Sequence, residues 1–85
     1  MTNKNTPGDT RKCSSAVPVE REIFASRFRK ARIAANLSQK DVHDRTGIAQ
    51  NYISEVERCV SNPSLDMLAA LAAAVGKPLY LLLKP

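Results

Sequence analysis

The chain is poor in the residues that usually carry chemistry. It has one histidine, His43, two cysteines, Cys13 and Cys59, and three glycines in 85 residues. No serine, cysteine or pair of carboxylates stands at a fixed spacing beside His43, so neither a general base nor an activated nucleophile can be assembled from the pattern. A glycine-rich phosphate loop is missing, and the cysteines have no metal-ligand spacing. The expectation is therefore no enzyme activity, no cofactor and no metal. Long apolar runs are missing as well. The run from Leu79 to Leu83 is far too short to span a bilayer. The first residues lack the apolar core of a secretory signal, which makes a cytoplasmic protein the expectation. In a reducing compartment the two cysteines are expected as reduced thiols rather than as a disulfide. No alternating strand pattern and no internal repeat is present.

What remains is a small, basic, helical chain. This length allows one domain, and a core so small must use every apolar face. The formal net charge is +5, which suits a polyanionic partner without identifying one. Residues 1–18 show no apolar periodicity and hold Lys4, Arg11 and Lys12 among Thr, Asn, Ser, Gly and Pro. Such a segment buries too little to offset its ordering entropy, so a flexible N-terminal arm is expected. A disordered tail and a basic arm lying along DNA are both compatible with it, and composition favours the tail.

Residues 19–85 read as five helices. The first runs from near Val19 to about Asn36, with Phe24, Phe28, Ala31 and Ala35 as an apolar stripe that Ile23 widens. Ser38 caps the second, with Asp41 completing a weak capping box, Val42 facing inward and His43 outward. Gly47 stops it, because so tight a turn needs a positive φ. The third covers roughly Gln50 to Arg58. Ser64 caps the fourth, whose buried stripe is Leu65, Leu68, Leu71, Ala72 and Val75 before Gly76 ends it. Pro78 opens a short fifth helix of Leu79, Tyr80, Leu81, Leu82 and Leu83.

The information is concentrated in residues 38–57, a short helix, a glycine turn and a second helix. The second helix buries Ile53 and Val56 and offers Gln50, Asn51, Ser54, Glu55 and Arg58 to solvent. A rod bearing such a row of hydrogen-bonding side chains fits the major groove of DNA. Gln50 and Asn51 can each pair bidentately with an adenine edge. Glu55 can accept from a cytosine amino group, although it repels phosphates. The Ala49 methyl can meet a thymine methyl.

The order Leu37-Ser38-Gln39, Gly47, Tyr52-Ile53-Ser54, Val56-Glu57 and Asn62-Pro63-Ser64-Leu65, followed by Leu68, Leu71, Ala72 and Gly76, resembles the lambda repressor and Cro-like helix-turn-helix regulators, the xenobiotic-response-element type. The likeness covers about Ile23 to Leu83. It implies an all-α, compact five-helix lambda-repressor-like domain that binds double-stranded DNA and regulates transcription. It places Ala49, Gln50, Asn51 and Glu55 at the base-facing positions, and Gln39 against a DNA phosphate. Lys40, Tyr52, Arg58 and Ser61 are further candidates for phosphate contact, with packing an alternative for Tyr52. Arg32 and Glu57 occupy positions where the family often has a partly buried ion pair. Two positions depart from the pattern. Ala49 replaces the usual Ser or Thr cap of the reading helix, and Cys59 replaces the glycine that usually ends it.

Such regulators commonly act as twofold dimers on near-palindromic sites. The fifth helix holds more leucines than one face can bury, so Leu79, Tyr80, Leu82 and Leu83 are expected at a homodimer interface. The competing function is a protein-interaction module of the same fold, such as an antitoxin. A toxin or a polymerase is then a further candidate partner.

Overall fold

The computed structural model describes residues 17–85. The expected arm, residues 1–18, lies outside the described residues except for its last two, and so does Cys13. Five helices follow in order: α1 (Val19–Ala34), α2 (Gln39–Thr46), α3 (Gln50–Glu57), α4 (Leu65–Ala74) and α5 (Leu79–Leu82). Among the described residues all regular structure is helical, and no helix is long and apolar enough to cross a membrane.

Local chemistry explains where the helices begin and end. Ser38 and Asp41 exchange side-chain and backbone hydrogen bonds in a complete capping box at the start of α2. These bonds, the one from the Ser38 backbone first, hold the Asp41 carboxyl below the usual carboxylate range. The Ser64 hydroxyl accepts from the Met67 amide and caps α4. α1 closes at Asn36, which takes φ 60°, while Asn36 N donates to Ile33 O and Leu37 N to Arg32 O. That paired closure is a Schellman turn. Gly76 ends α4 in the same way.

The core is a single cluster of Phe24, Phe28, Val42, Ile53, Val56, Leu71, Ala72, Ala74, Val75 and Leu82. The Phe24 and Phe28 rings stack one turn apart on α1, with centroids 5.6 Å apart. α2 packs on α3 and α4, while α1 packs on α3 and α5. Among the described residues the third helix is therefore backed chiefly by α1 and α2.

Several burial expectations are corrected. Ala35 is exposed, because the Schellman turn carries the chain off the helix before it. Ala25 takes a place in the core instead. Leu65 is 68% exposed, since it is the first residue of α4 and precedes the turn that meets the core. Leu82 is 4% exposed and belongs to the monomer core, so it does not line a dimer surface. Leu79 and Leu83 are half-buried against that core, whereas Tyr80 and Leu81 face outward. Cys59 is buried and is not a free thiol, contrary to the expectation of two reduced cysteines.

Candidate nucleic-acid interface

The turn between α2 and α3 is fastened at both backbone polar atoms of Ile48. Gly47 adopts φ 79° and its amide donates to the His43 carbonyl. The Thr46 hydroxyl donates to the Val42 carbonyl at 2.8 Å and accepts from the Ile48 amide at 3.1 Å. His43 Nδ1 donates to the Ile48 carbonyl at 2.7 Å. The imidazole is thus a half-buried strut of the turn, not the outward-facing solvated side chain expected of it. Back-bonding by Thr46 has a local sequence signal, a hydroxyl four residues past a helical carbonyl. His43 has none, since its contact depends on how the turn folds back.

α3 then leaves the turn with its two faces fully sorted. Ile53 is 0% exposed and Val56 3% exposed. Ala49, Gln50, Asn51 and Arg58 are exposed, and Ser54 and Glu55 half-buried. Ala49 precedes the helix without a side-chain cap. Among the described residues no partner engages the amides of Gln50 or Asn51, so the donors and acceptors that could read bases remain available. Tyr52 packs against the core cluster.

The far end of α3 is anchored. Glu57, with its side chain 4% exposed, accepts from Arg32 Nε at 2.6 Å and from Arg32 Nη2 at 3.1 Å. Arg32 Nη1 also donates to the Leu37 carbonyl at 2.9 Å. Gln39 Nε2 joins the same carboxylate at 3.2 Å, and Arg29 approaches it to 3.9 Å. One buried carboxylate thereby ties α1, the start of α2 and the end of α3 together. A bidentate arginine and a third donor satisfy it, which is the condition for keeping a buried charge. Gln39 retains its second amide hydrogen for another acceptor. Lys40 lies across from Asp44 in an exposed i,i+4 pair at 3.2 Å, a contact weak enough to yield to a phosphate.

Cys59 closes α3. It accepts the left-handed angle, φ 64°, in place of the glycine usual there. Cys59 N donates to Val56 O and Val60 N to Glu55 O, a Schellman turn like those at Asn36 and Gly76. In the loop that follows, the Ser61 hydroxyl donates to Glu55 Oε1 at 2.7 Å, and Arg21 Nη2 on α1 donates to the Ser61 carbonyl.

A helix-turn-helix family model matches residues 28–82. The chain belongs to the helix-turn-helix family of transcriptional regulators. It is similar to the HTH-type transcriptional regulator y4dJ of Sinorhizobium fredii, with 38% identity over 66% of this chain and 73% of that one. The transcriptional regulator ClgR of Mycobacterium tuberculosis is 32% identical over 74% of this chain, which spans only 56% of ClgR. Among solved structures, the hypothetical transcription factor NHTF from Neisseria superposes with a TM-score of 0.73 at 31% identity, covering 87% of this chain and 88% of NHTF. The restriction-modification controller protein C.AhdI from Aeromonas hydrophila superposes with a TM-score of 0.70 at 31% identity, covering 76% of this chain and 98% of its own. In this helix-turn-helix protein α2, the Gly47 turn and α3 form the motif.

Proposed function

We propose that this regulator is a cytoplasmic homodimer that represses or autoregulates a promoter by reading a near-palindromic operator through the major groove. Each copy inserts α3, with Ala49, Gln50, Asn51 and Glu55 toward base edges. Gln39, Lys40, Tyr52 and Arg58 lie toward the flanking phosphates. The two reading helices address half-sites about one helical turn, ~34 Å, apart. The observation that carries this reading is the division of α3: Ile53 and Val56 are sealed in the core while the adjacent Gln50 and Asn51 are exposed, their side-chain amides unengaged among the described residues. Such polar groups on a rigid, braced rod match base recognition. Tyr80 and Leu81, 67% and 38% exposed on α5, are the apolar surface offered to a second copy, with Leu79 and Leu83 at its edge.

The test is duplex binding measured against salt, followed by selection from a random DNA pool. Affinity should fall with a log–log slope of about 0.9 per phosphate neutralised, and the selected site should have twofold symmetry. A docking module such as an antitoxin would instead show little affinity for duplex DNA at any salt. A sedimentation mass that stays monomeric from micromolar concentrations upward would refute the dimer.

A further inference from the structure

Glu55 is the one acidic residue on the outward face of α3, and its carboxylate is not left to wander. Its Oε1 receives the Ser61 hydroxyl at 2.7 Å. Ser61 is fixed in turn, because Arg21 of α1 donates to its backbone carbonyl. A serine has a single O–H to give. With that hydrogen on Glu55, the Ser61 hydroxyl has no donor left for a phosphate, the role its position in the loop suggested. An ionised carboxylate has about four lone-pair directions on two oxygens, so Oε2 and the second lone pair of Oε1 stay open. These open sites can only accept.

We propose that Arg21, Ser61 and Glu55 form a relay that presets Glu55 to read the exocyclic amino group of a cytosine in the major groove. Glu55 is the specificity residue, and Ser61 and Arg21 are its positioning residues. This rests on the major-groove reading above. Three chemical facts select cytosine. The carboxylate has no hydrogen to offer, so guanine O6 and N7 and thymine O4, all acceptors, are rejected. Cytosine N4 presents a donor there with an acceptor on one side only, O6 of the paired guanine, whereas adenine N6 lies between its own N7 and thymine O4, both of which would repel the anion. Holding the side chain before binding also removes much of the ordering cost that a free glutamate would bear. The tie to the loop further keeps the negative charge in one place, where a freely swinging glutamate would meet the phosphates.

The experiment is selection from a random duplex pool with the full chain, followed by affinity measurements on single-base variants of the selected site. The parent should select a cytosine at one position per half-site, preferred about tenfold over the other bases. Glu55→Gln and Glu55→Ala should lose that preference while the other positions stay as they were. Ser61→Ala should keep cytosine first but reduce the preference about threefold, and Ser61→Thr, which retains the hydroxyl, should restore it. Replacing the selected cytosine by N4-methylcytosine, whose methyl occupies the groove side of the amino group, should weaken the parent and leave Glu55→Ala unaffected. A parent that selects no sequence overturns the major-groove reading and this inference with it. A parent that selects a site in which Glu55→Ala alters no position overturns the inference alone. So does a Ser61→Ala protein that loses affinity equally on every sequence with its base preference intact, because that is the signature of a phosphate contact.

Discussion

The two ends of α3 are built on opposite plans. At its start Ala49 supplies no cap, and Gln50 and Asn51 stand in solvent without partners among the described residues. At its end Glu57 is held by Arg32 and Gln39, Glu55 by Ser61, and Cys59 locks the closing turn at φ 64°. A reading helix needs both halves. The polar groups that meet a ligand must keep donors or acceptors open, and the rod must be too firmly fixed to tilt when they engage. The fixed end supplies direction and holds Glu55 in one place, and the open end supplies amides that the fold leaves unrestrained.

The largest test removes the anchor. Arg32→Met leaves Glu57 buried without its main partner and should destabilise the fold by ~3–5 kcal/mol in urea unfolding. The double variant Arg32→Met with Glu57→Leu should recover most of that loss. A single variant as stable as the parent would show that the anchored end is not anchored by charge.

The open end gives a smaller effect in a different measurement. Gln50→Ala and Asn51→Ala should leave the unfolding midpoint within about 0.5 kcal/mol of the parent. Each should weaken operator binding by ~1–3 kcal/mol and relax one base position. If either change shifted stability instead of binding, the division between the two ends would be wrong.

Next comes the missing cap. Ala49 has φ −57° and ψ 138°, an extended geometry that a capping serine adopts readily. Ala49→Ser should raise stability by about 1 kcal/mol, seen as a higher thermal midpoint. The same change removes a methyl from the base-facing side, so operator preference should move at one position only.

The smallest effect is an acid dependence confined to α2. The Asp41 carboxyl is held below its ordinary 3.8 by hydrogen bonds from Ser38. A carboxylate depressed in the folded state contributes stability above its unfolded pKa and loses it as pH falls through the folded value. Asp41→Asn should therefore flatten the acid limb of the stability–pH curve below about pH 4 and leave neutral DNA binding unchanged. An identical limb in both proteins would place the acid sensitivity elsewhere.

The helix order was legible because its signals are local. Ser38, Gly47, Ser64 and Gly76 mark helix ends through their own backbone chemistry, and each helix falls within two residues of the expected span. Phe24, Phe28, Val42, Ile53, Val56 and Leu71 fall on the core because helical periodicity demands it. Misreadings cluster where a neighbour from elsewhere in the chain decides. Leu82 and Leu81 are adjacent leucines on a single-turn helix, and only the placement of α1 and α4 buries the first and exposes the second. His43 reads as a surface residue until the turn brings the Ile48 carbonyl to it.

By itself the sequence determined five helices, their caps and the outward polar row on α3, since propensity, capping and periodicity act over a few residues. Tertiary structure alone decided which of those polar groups are engaged internally and which are left for a ligand. Glu57 finds Arg32 twenty-five positions away, Arg21 reaches Ser61 across forty, and the Gln50 side chain finds no partner among the described residues. Hydrogen bonds and ion pairs form between groups that are close in space, and in this protein the packing of α1 against α3 sets which groups those are.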